Sequence, residues 1–174
     1  MKLNIRWHDR LGSTNQYIKK EILEGKSISS GTLIATHDQT NGTGRFDRPW
    51  IAPPHTNLCF SIYYATNAPL TAIPSLTMAT TLAVHDLLRS RRITAQPKWP
   101  NDLLVHGKKI CGILSEHIEH PTTHQKGIIT GIGLNVNLTS TQAAAIDQPA
   151  TSMLIETGTP HPLETTLEDL LPHL

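Results

Sequence analysis

Between Lys98 and Glu116 the chain reads Lys-Trp-Pro-Asn-Asp-Leu-Leu-Val-His-Gly-Lys-Lys-Ile-Cys-Gly-Ile-Leu-Ser-Glu, and no other stretch limits its fold as tightly. Leu103-Leu104-Val105 and the run from Lys109 to His117 read as strands, and His106-Gly107-Lys108 leaves room only for a tight reversal between them. Trp99 precedes a proline, which holds it extended, and it reads as buried against the Pro-Asn-Asp turn. The pair of strands is unusually polar for its apolar content, a density of polar groups expected where strands face a ligand. Lys109 has two readings at this level. A lysine inside an apolar strand is costly to bury unpaired, so it either meets an anion beside the space left by Gly112 or snorkels to the surface next to Lys108. Asn101 and Asp102 are likewise either oxygen donors suited to Mg²⁺ or a ribose hydroxyl, or plain turn residues.

The rest of the chain supplies a sheet for this pair to join. Leu3 to Trp7, the β-branched run Thr32 to His37, Leu58 to Tyr64 and Gly127 to Asn137 read as strands. Ser13 followed by Gln16 forms a capping box for a helix running to Gly25. Pro74 opens a second helix, with Leu76, Ala79, Ala83 and Leu87 on its buried stripe. Short helices follow at about 140 to 146, 151 to 157 and 164 to 171, while residues 38 to 50 form a polar, glycine-bearing loop. Consecutive strands joined by short turns give an α+β fold, a mixed β-sheet with helices on one side, in a single domain over 1–174.

Lys and Arg total 15 against 14 Asp and Glu, a net charge of +1, which gives no electrostatic case for nucleic-acid binding. No apolar run is long enough for a membrane, and Met1 to Asn4 begins no signal peptide. Cys59 and Cys111 sit in apolar strands and read as reduced core thiols, which fits a cytoplasmic protein. His117, His120 and His124 are the only histidine cluster, interrupted by Pro121, and read as solvated loop residues rather than metal ligands.

Three further constellations could carry chemistry. In Gln39 to Trp50, Gly42 and Gly44 let backbone N–H groups approach an anion, and Arg45 and Arg48 can fork onto carboxylate or phosphate oxygens, although a flexible surface loop has the same look. Trp50 either anchors the loop in the core or stacks on a base. In Gly131-Ile132-Gly133-Leu134-Asn135-Val136-Asn137, the glycines admit a flat ligand or mark an edge strand. Ser13-Thr14-Asn15 is fully explained as a helix start, and it also aims hydroxyl and N–H groups outward.

Taken in order, Ser13-Thr14-Asn15, Gln39 to Trp50, Lys98 to Glu116, Gly131 to Asn137 and Thr151-Ser152-Met153-Leu154 resemble the motifs of the biotin protein ligases, whose catalytic domain is the class II synthetase-related mixed sheet shared with lipoate ligases. The resemblance implies an ATP-dependent ligase that forms biotinyl-5'-AMP and passes biotin to a lysine of a biotin carboxyl carrier protein of acetyl-CoA carboxylase or a similar enzyme. It implies that Ser13, Thr14, Asn15 and Gln39 hold the biotin head, with Gly42, Thr43 and Gly44 closing over it and Gly112, Gly131 and Gly133 lining its slot. Lys109 would contact the biotin carboxylate and α-phosphate, and Arg45 would order the loop over the adenylate; these two are the implied catalytic residues. Arg48, Trp50, Asn101, Asp102 and Asn135 would lie on the ATP side, with Asp102 toward Mg²⁺. Family members occur as monomers and homodimers. A lipoate or octanoate ligase or transferase of the same fold and a non-catalytic biotin-binding remnant are the alternatives.

The chain departs from the family pattern at several places. Thr43 replaces the first arginine of Gly-Arg-Gly-Arg, which predicts a weaker grip on the adenylate and a leakier intermediate. Asp47 replaces a frequent glycine, so that position is expected not to need a positive φ. Gly12 stands where an acidic residue is common. The sequence contains neither a helix-turn-helix before the catalytic region nor the small barrel that follows it in the family, so no repressor role is expected.

Overall fold

A computed structural model describes residues 3–174; Met1 and Lys2, part of the start read as lacking a signal peptide, lie outside the described residues. The elements run β1 (Asn4–Leu11), α1 (Thr14–Leu23), β2 (Thr32–Gln39), β3 (Gly42–Thr43), β4 (Pro49–Trp50), β5 (Asn57–Ala65), α2 (Ile73–Ser90), β6 (Gln96–Lys98), β7 (Asp102–Val105), β8 (Lys108–Glu119), β9 (Lys126–Asn135), α3 (Ser140–Ala144), α4 (Met153–Thr157) and α5 (Leu163–Leu170). Seven strands form one sheet in the order β1-β2-β5-β9-β8-β7-β6. β1 pairs with β2 in parallel and every other neighbour is antiparallel, so the sheet is mixed as expected. The β7–β8 reversal is two residues long, with His106 at φ 49° and Gly107 at φ 77°, the left-handed pair that matches the twist of a tight hairpin.

Side-chain alternation divides the sheet into two faces. Leu33, Ala35, Leu58, Phe60, Ile132 and Leu134 pack with Val84, Leu87 and Leu88 of α2 and Leu167 and Leu170 of α5. Ile34, Tyr63 and Ile129, an odd number of positions away along the same strands, point the other way and pack with Ile18 and Ile22 of α1. Helices therefore cover both faces, a correction to the one-sided arrangement expected. Strands such as Asn57–Ala65, buried at nearly every position, already require this.

The buried stripe of α2 is also rotated from the expected one. Thr77, Thr80, Thr81, Ala83, Val84, Leu87 and Leu88 are buried, while Ala79 is exposed and Leu76 half-buried. The three threonines can face the core because each hydroxyl donates to a carbonyl of the preceding turn: Thr77 to Ile73, Thr80 to Leu76 and Thr81 to Thr77. Trp99 needs a larger correction, since it is 75% exposed. It follows β6, an edge strand with all three residues exposed, and has no layer to pack against.

Residues 38 to 50 are more ordered than a loop. β3 and β4 pair Gly42 with Trp50 and Thr43 with Pro49, and Arg45–Asp47 turns between them. Asp47 has φ 56°, which overturns the expectation drawn from its replacing a glycine. Aspartate is among the few side chains that visit the left-handed region, and so compact a turn requires it there. Phe46 sits beside it at φ 58° with its ring exposed.

The rotated stripe is testable by charge insertion. Ala79→Glu is expected to leave the stability of the domain within about 0.5 kcal/mol in urea unfolding, whereas Ala83→Glu, which buries an unpaired carboxylate, should cost about 3 kcal/mol or more.

Candidate active site

On the α1 face, beyond the start of the helix, the sheet is open, and a cavity of about 240 Å³ lies there. Its wall is built from the α1 start, the β3–β4 flap, the β6–β7 turn and the glycines of β8 and β9. Of the residues singled out in the sequence, Ser13, Thr14, Asn15, Gln39, Thr43, Gly44, Arg45, Arg48, Trp50, Asn101, Asp102, Lys109, Gly112, Gly131 and Gly133 all line it.

The α1 end is a hydrogen-bonded floor. Ser13 is the N-cap, its hydroxyl accepting from the Gln16 N–H at 3.4 Å; the capping contact is present on the Ser13 side. The Thr14 N–H donates to Gln39 Oε1 at 2.9 Å, and Gly42 crowds the other end of that amide, since a Cβ there would lie 2.6 Å from Gln39 Nε2. Beneath Thr14 and Asn15 lies Ser61 of β5, fully buried, with its Oγ 2.7 Å from Thr14 Oγ1 and 2.6 Å from Asn15 Oδ1. Nothing in the sequence marked Ser61, because a serine inside an apolar strand carries no motif.

The opposite end is cationic. Lys109 Nζ is 2.8 Å from Asp102 Oδ1, with both side chains largely buried, and 5.5 Å from the centre of the Trp50 ring. The lysine is therefore paired rather than snorkelling. Arg45 Nη1 donates to Asn101 Oδ1 at 3.2 Å, and Asn101 Nδ2 donates to the Ile113 carbonyl at 3.1 Å, so the flap is tied to the hairpin across the cavity. Asn135 is absent from the cavity wall. It is buried, accepting from Asn57 Nδ2 at 2.9 Å and donating to the carbonyls of Thr151 at 2.9 Å and Lys109 at 3.3 Å. It thus ties the backbone behind the lysine to the segment before α4. The Lys109 peptide is also bonded to Pro149 and Thr151, so its backbone is held from both directions.

The glycines make room for the protein's own side chains as well as for a ligand. A Cβ at Gly133 would lie 2.5 Å from Trp50 Cε2, one at Gly112 2.9 Å from Lys109 Cε and one at Gly131 2.3 Å from Asn15 Oδ1. The Trp50 indole thus rests on the sheet itself, its buried N–H near the Cys59 thiol but without a hydrogen bond of acceptable geometry. Burial pushes the Cys59 thiol up to about 12, with the Trp50 N–H pulling weakly the other way, and burial pushes the Cys111 thiol up as well. The two thiols are free, and they sit on strands separated by β9, with Cys111 in the α2-side core.

Among the described residues, Asp102 is the single carboxylate on the cavity wall. Mg²⁺ is commonly held by one or two carboxylates with substrate phosphates and water supplying the rest, so Asp102 fits that role only together with a bound nucleotide.

Comparisons with known proteins agree with this geometry. The model of the biotin/lipoate A/B protein ligase family matches residues 7–135. The bifunctional ligase/repressor BirA of Bacillus subtilis is 33% identical over 138 residues, covering 79% of this chain and 42% of that protein. The biotin–[acetyl-CoA-carboxylase] ligase of Mycobacterium tuberculosis is 37% identical over 150 residues, covering 82% and 52%. The chain therefore spans about half or less of the length of these two relatives. Among solved structures, the Aquifex aeolicus biotin protein ligase bound to biotin and ATP superposes with a TM-score of 0.75 at 26% identity, covering 98% of this chain and 68% of that one. A variant of the same protein bound to biotin reaches a TM-score of 0.78, also at 26% identity, covering 98% and 67%.

Two buried thiols with raised pKa present almost no thiolate at pH 8. Neither cysteine is expected to react with DTNB in the native protein, and both should react at once in denaturant; rapid native labelling of Cys59 would mean that Trp50 does not cover it.

Proposed function

We propose, from the premise that the chain belongs to the biotin/lipoate A/B protein ligase family, that it is the catalytic domain of an ATP-dependent biotin–protein ligase. It joins biotin to ATP, giving biotinyl-5'-AMP and pyrophosphate, and then transfers biotin to the ε-amine of a lysine on a biotin carboxyl carrier protein. One observation carries the reading: a hydrogen-bonding floor of Ser13, Thr14 and Gln39 and a cationic end of Lys109 and Arg45 open into the same cavity. A small acid with a polar head has both of its ends provided for. The Mycobacterium tuberculosis relative and the Aquifex aeolicus structure, both named for biotin ligation rather than lipoate ligation, support the choice of acid.

The first step brings two anions together, a carboxylate and the α-phosphate. Lys109 lies where it can neutralise both, and its strand position and bonded backbone fix the ammonium without reorganisation at the moment of reaction. On ligand binding it exchanges the Asp102 carboxylate for the ligand's oxygens, which frees Asp102 to face a cation. Mg²⁺ there would supply further charge neutralisation of the phosphates. Arg45, leaving or sharing Asn101, closes the β3–β4 flap over the mixed anhydride and keeps water from it. No covalent enzyme intermediate is required, in keeping with two thiols that stay protonated. A reducing, cytoplasmic setting suits those unpaired thiols.

The deciding assay combines labelled biotin, ATP and a carrier domain, with lipoate in a parallel arm. Transfer of biotin label is expected, and Lys109→Ala should lower its rate by about 10²–10³, the usual cost of losing one fixed transition-state charge. No transfer by the wild type, a preference for lipoate, or an unaffected Lys109→Ala would each overturn the proposal. Because Thr43 leaves the flap one positive charge short of the family pattern, Thr43→Arg should reduce the fraction of adenylate lost to hydrolysis before transfer. That fraction is read as AMP released per biotin transferred.

A further inference from the structure

Behind the α1 end of the cavity runs a line of side chains that the proposed reaction does not use. Glu116 Oε2 lies 2.8 Å from Asn15 Nδ2, and Lys19 Nζ stands 3.5 Å from the other carboxylate oxygen. Asn15 Nδ2 also reaches the Leu114 carbonyl at 3.3 Å. Both partners are acceptors only, so the Asn15 amide stands one way round, nitrogen toward β8 and oxygen toward β5. On that side Ser61 Oγ is 2.6 Å from Asn15 Oδ1 and 2.7 Å from Thr14 Oγ1.

A serine hydroxyl has one proton for these two contacts. Two bare oxygens at 2.6 Å would repel, and the amide oxygen has no proton to give, so the Ser61 proton lies toward Asn15. Ser61 is then an acceptor toward Thr14, whose own proton is directed back to Ser61. What Thr14 Oγ1 has left for the cavity is lone pairs. Gln39 Oε1 is an acceptor as well, because it takes the Thr14 N–H; it could also accept the Thr14 hydroxyl at 3.2 Å, but the Ser61 contact at 2.7 Å is the shorter and needs that proton. Two acceptors therefore converge at this end of the cavity. Ser61 is 0% and Asn15 6% exposed, so water does not supply an alternative proton arrangement. Gly131 belongs to the device, since any Cβ there would collide with the Asn15 amide.

We propose that Glu116, Asn15 and Ser61 are positioning residues that lock the Thr14 hydroxyl as an acceptor, so that Thr14 and Gln39 select a head group bearing N–H donors, such as the cyclic urea of biotin. The inference rests on the biotin reading above. The Glu116 carboxylate sets the direction, and Asn15, itself on the cavity wall, and Ser61 behind it pass it to Thr14. A dithiolane or alkyl head group has no N–H and gains nothing from the pair.

The test is calorimetric titration of the whole chain with biotin and with the two carbamate analogues in which one urea N–H is replaced by oxygen. Wild type is expected to favour biotin over at least one analogue by about tenfold or more, since the analogue leaves a buried acceptor without a donor. Glu116→Gln is nearly isosteric and partly exposed, and it lets the Asn15 amide turn over; Ser61→Ala removes the link outright. Both variants are expected to bind biotin more weakly and to bring the biotin-to-analogue ratio within about threefold, because the freed Thr14 hydroxyl can then donate to the analogue oxygen. If biotin and analogue lose affinity equally, or the ratio is unchanged, the relay is overturned and the ligase reading stands. If wild type binds no biotin, both fall. Should Ser61→Ala fail to fold, Glu116→Gln alone decides the outcome.

Discussion

A sheet this apolar must be covered on both faces, and on one of them the cover runs out. α1 has ten residues, a length of about 15 Å, whereas β9 has ten in extended form, about 34 Å. α2, with α5 beside it, packs along the other face. The uncovered half of the α1 face cannot stay bare. It is met partly by the Trp50 indole and the Lys109 stem lying on glycines, and partly by a cavity left for a ligand. The site is thus a consequence of a short helix on a long sheet, and the floor residues Ser13, Thr14 and Asn15 sit where the helix stops.

This geometry explains what could be read from the sequence. Elements with strong local signals were legible: the Ser13 cap, the His106-Gly107 reversal and the β-branched strands all lie close to where their patterns put them. So were the cavity residues that come in motifs, because Lys109, Asp102 and Gly112 lie on one hairpin, paired across a single bulge beside its own turn. The misreadings share a cause, which is dependence on what another layer does. Ala79 looked buried because a helical period says how far apart the apolar positions are and not which threonines can satisfy their hydroxyls. Trp99 looked buried because size is a guide to burial only where there is something to pack against. Asp47 took a left-handed conformation because β3 and β4 are too close to join otherwise.

Asn135 and Ser61 make the complementary case. Asn135 lies in a motif and reads as a ligand contact, and in the fold its amide nitrogen also holds the Lys109 and Thr151 carbonyls. Ser61 lies in no motif and is in contact with two floor residues. Both sit on the α1 face of neighbouring strands, one behind each end of the cavity. A residue's part in such a site is decided by its position across the sheet, which the order of residues along the chain does not state. The three glycines are a milder version: the sequence marks the space, and only the fold says that the protein's own side chains take up much of it.

The pairing of Lys109 with Asp102 has a consequence for how the site responds to ionic strength. An empty site with a bare lysine would hold a counterion, and an anionic ligand would release it on binding. Here the counterion is built in and tethered 2.8 Å away. Ligand binding is then an exchange of one carboxylate for another inside a sheltered space, with little net change in the small ions around the protein. Affinity for the acid alone should vary weakly with added salt. The strongly salt-sensitive event is the arrival of the triphosphate, whose charge exceeds what the displaced Asp102 had balanced.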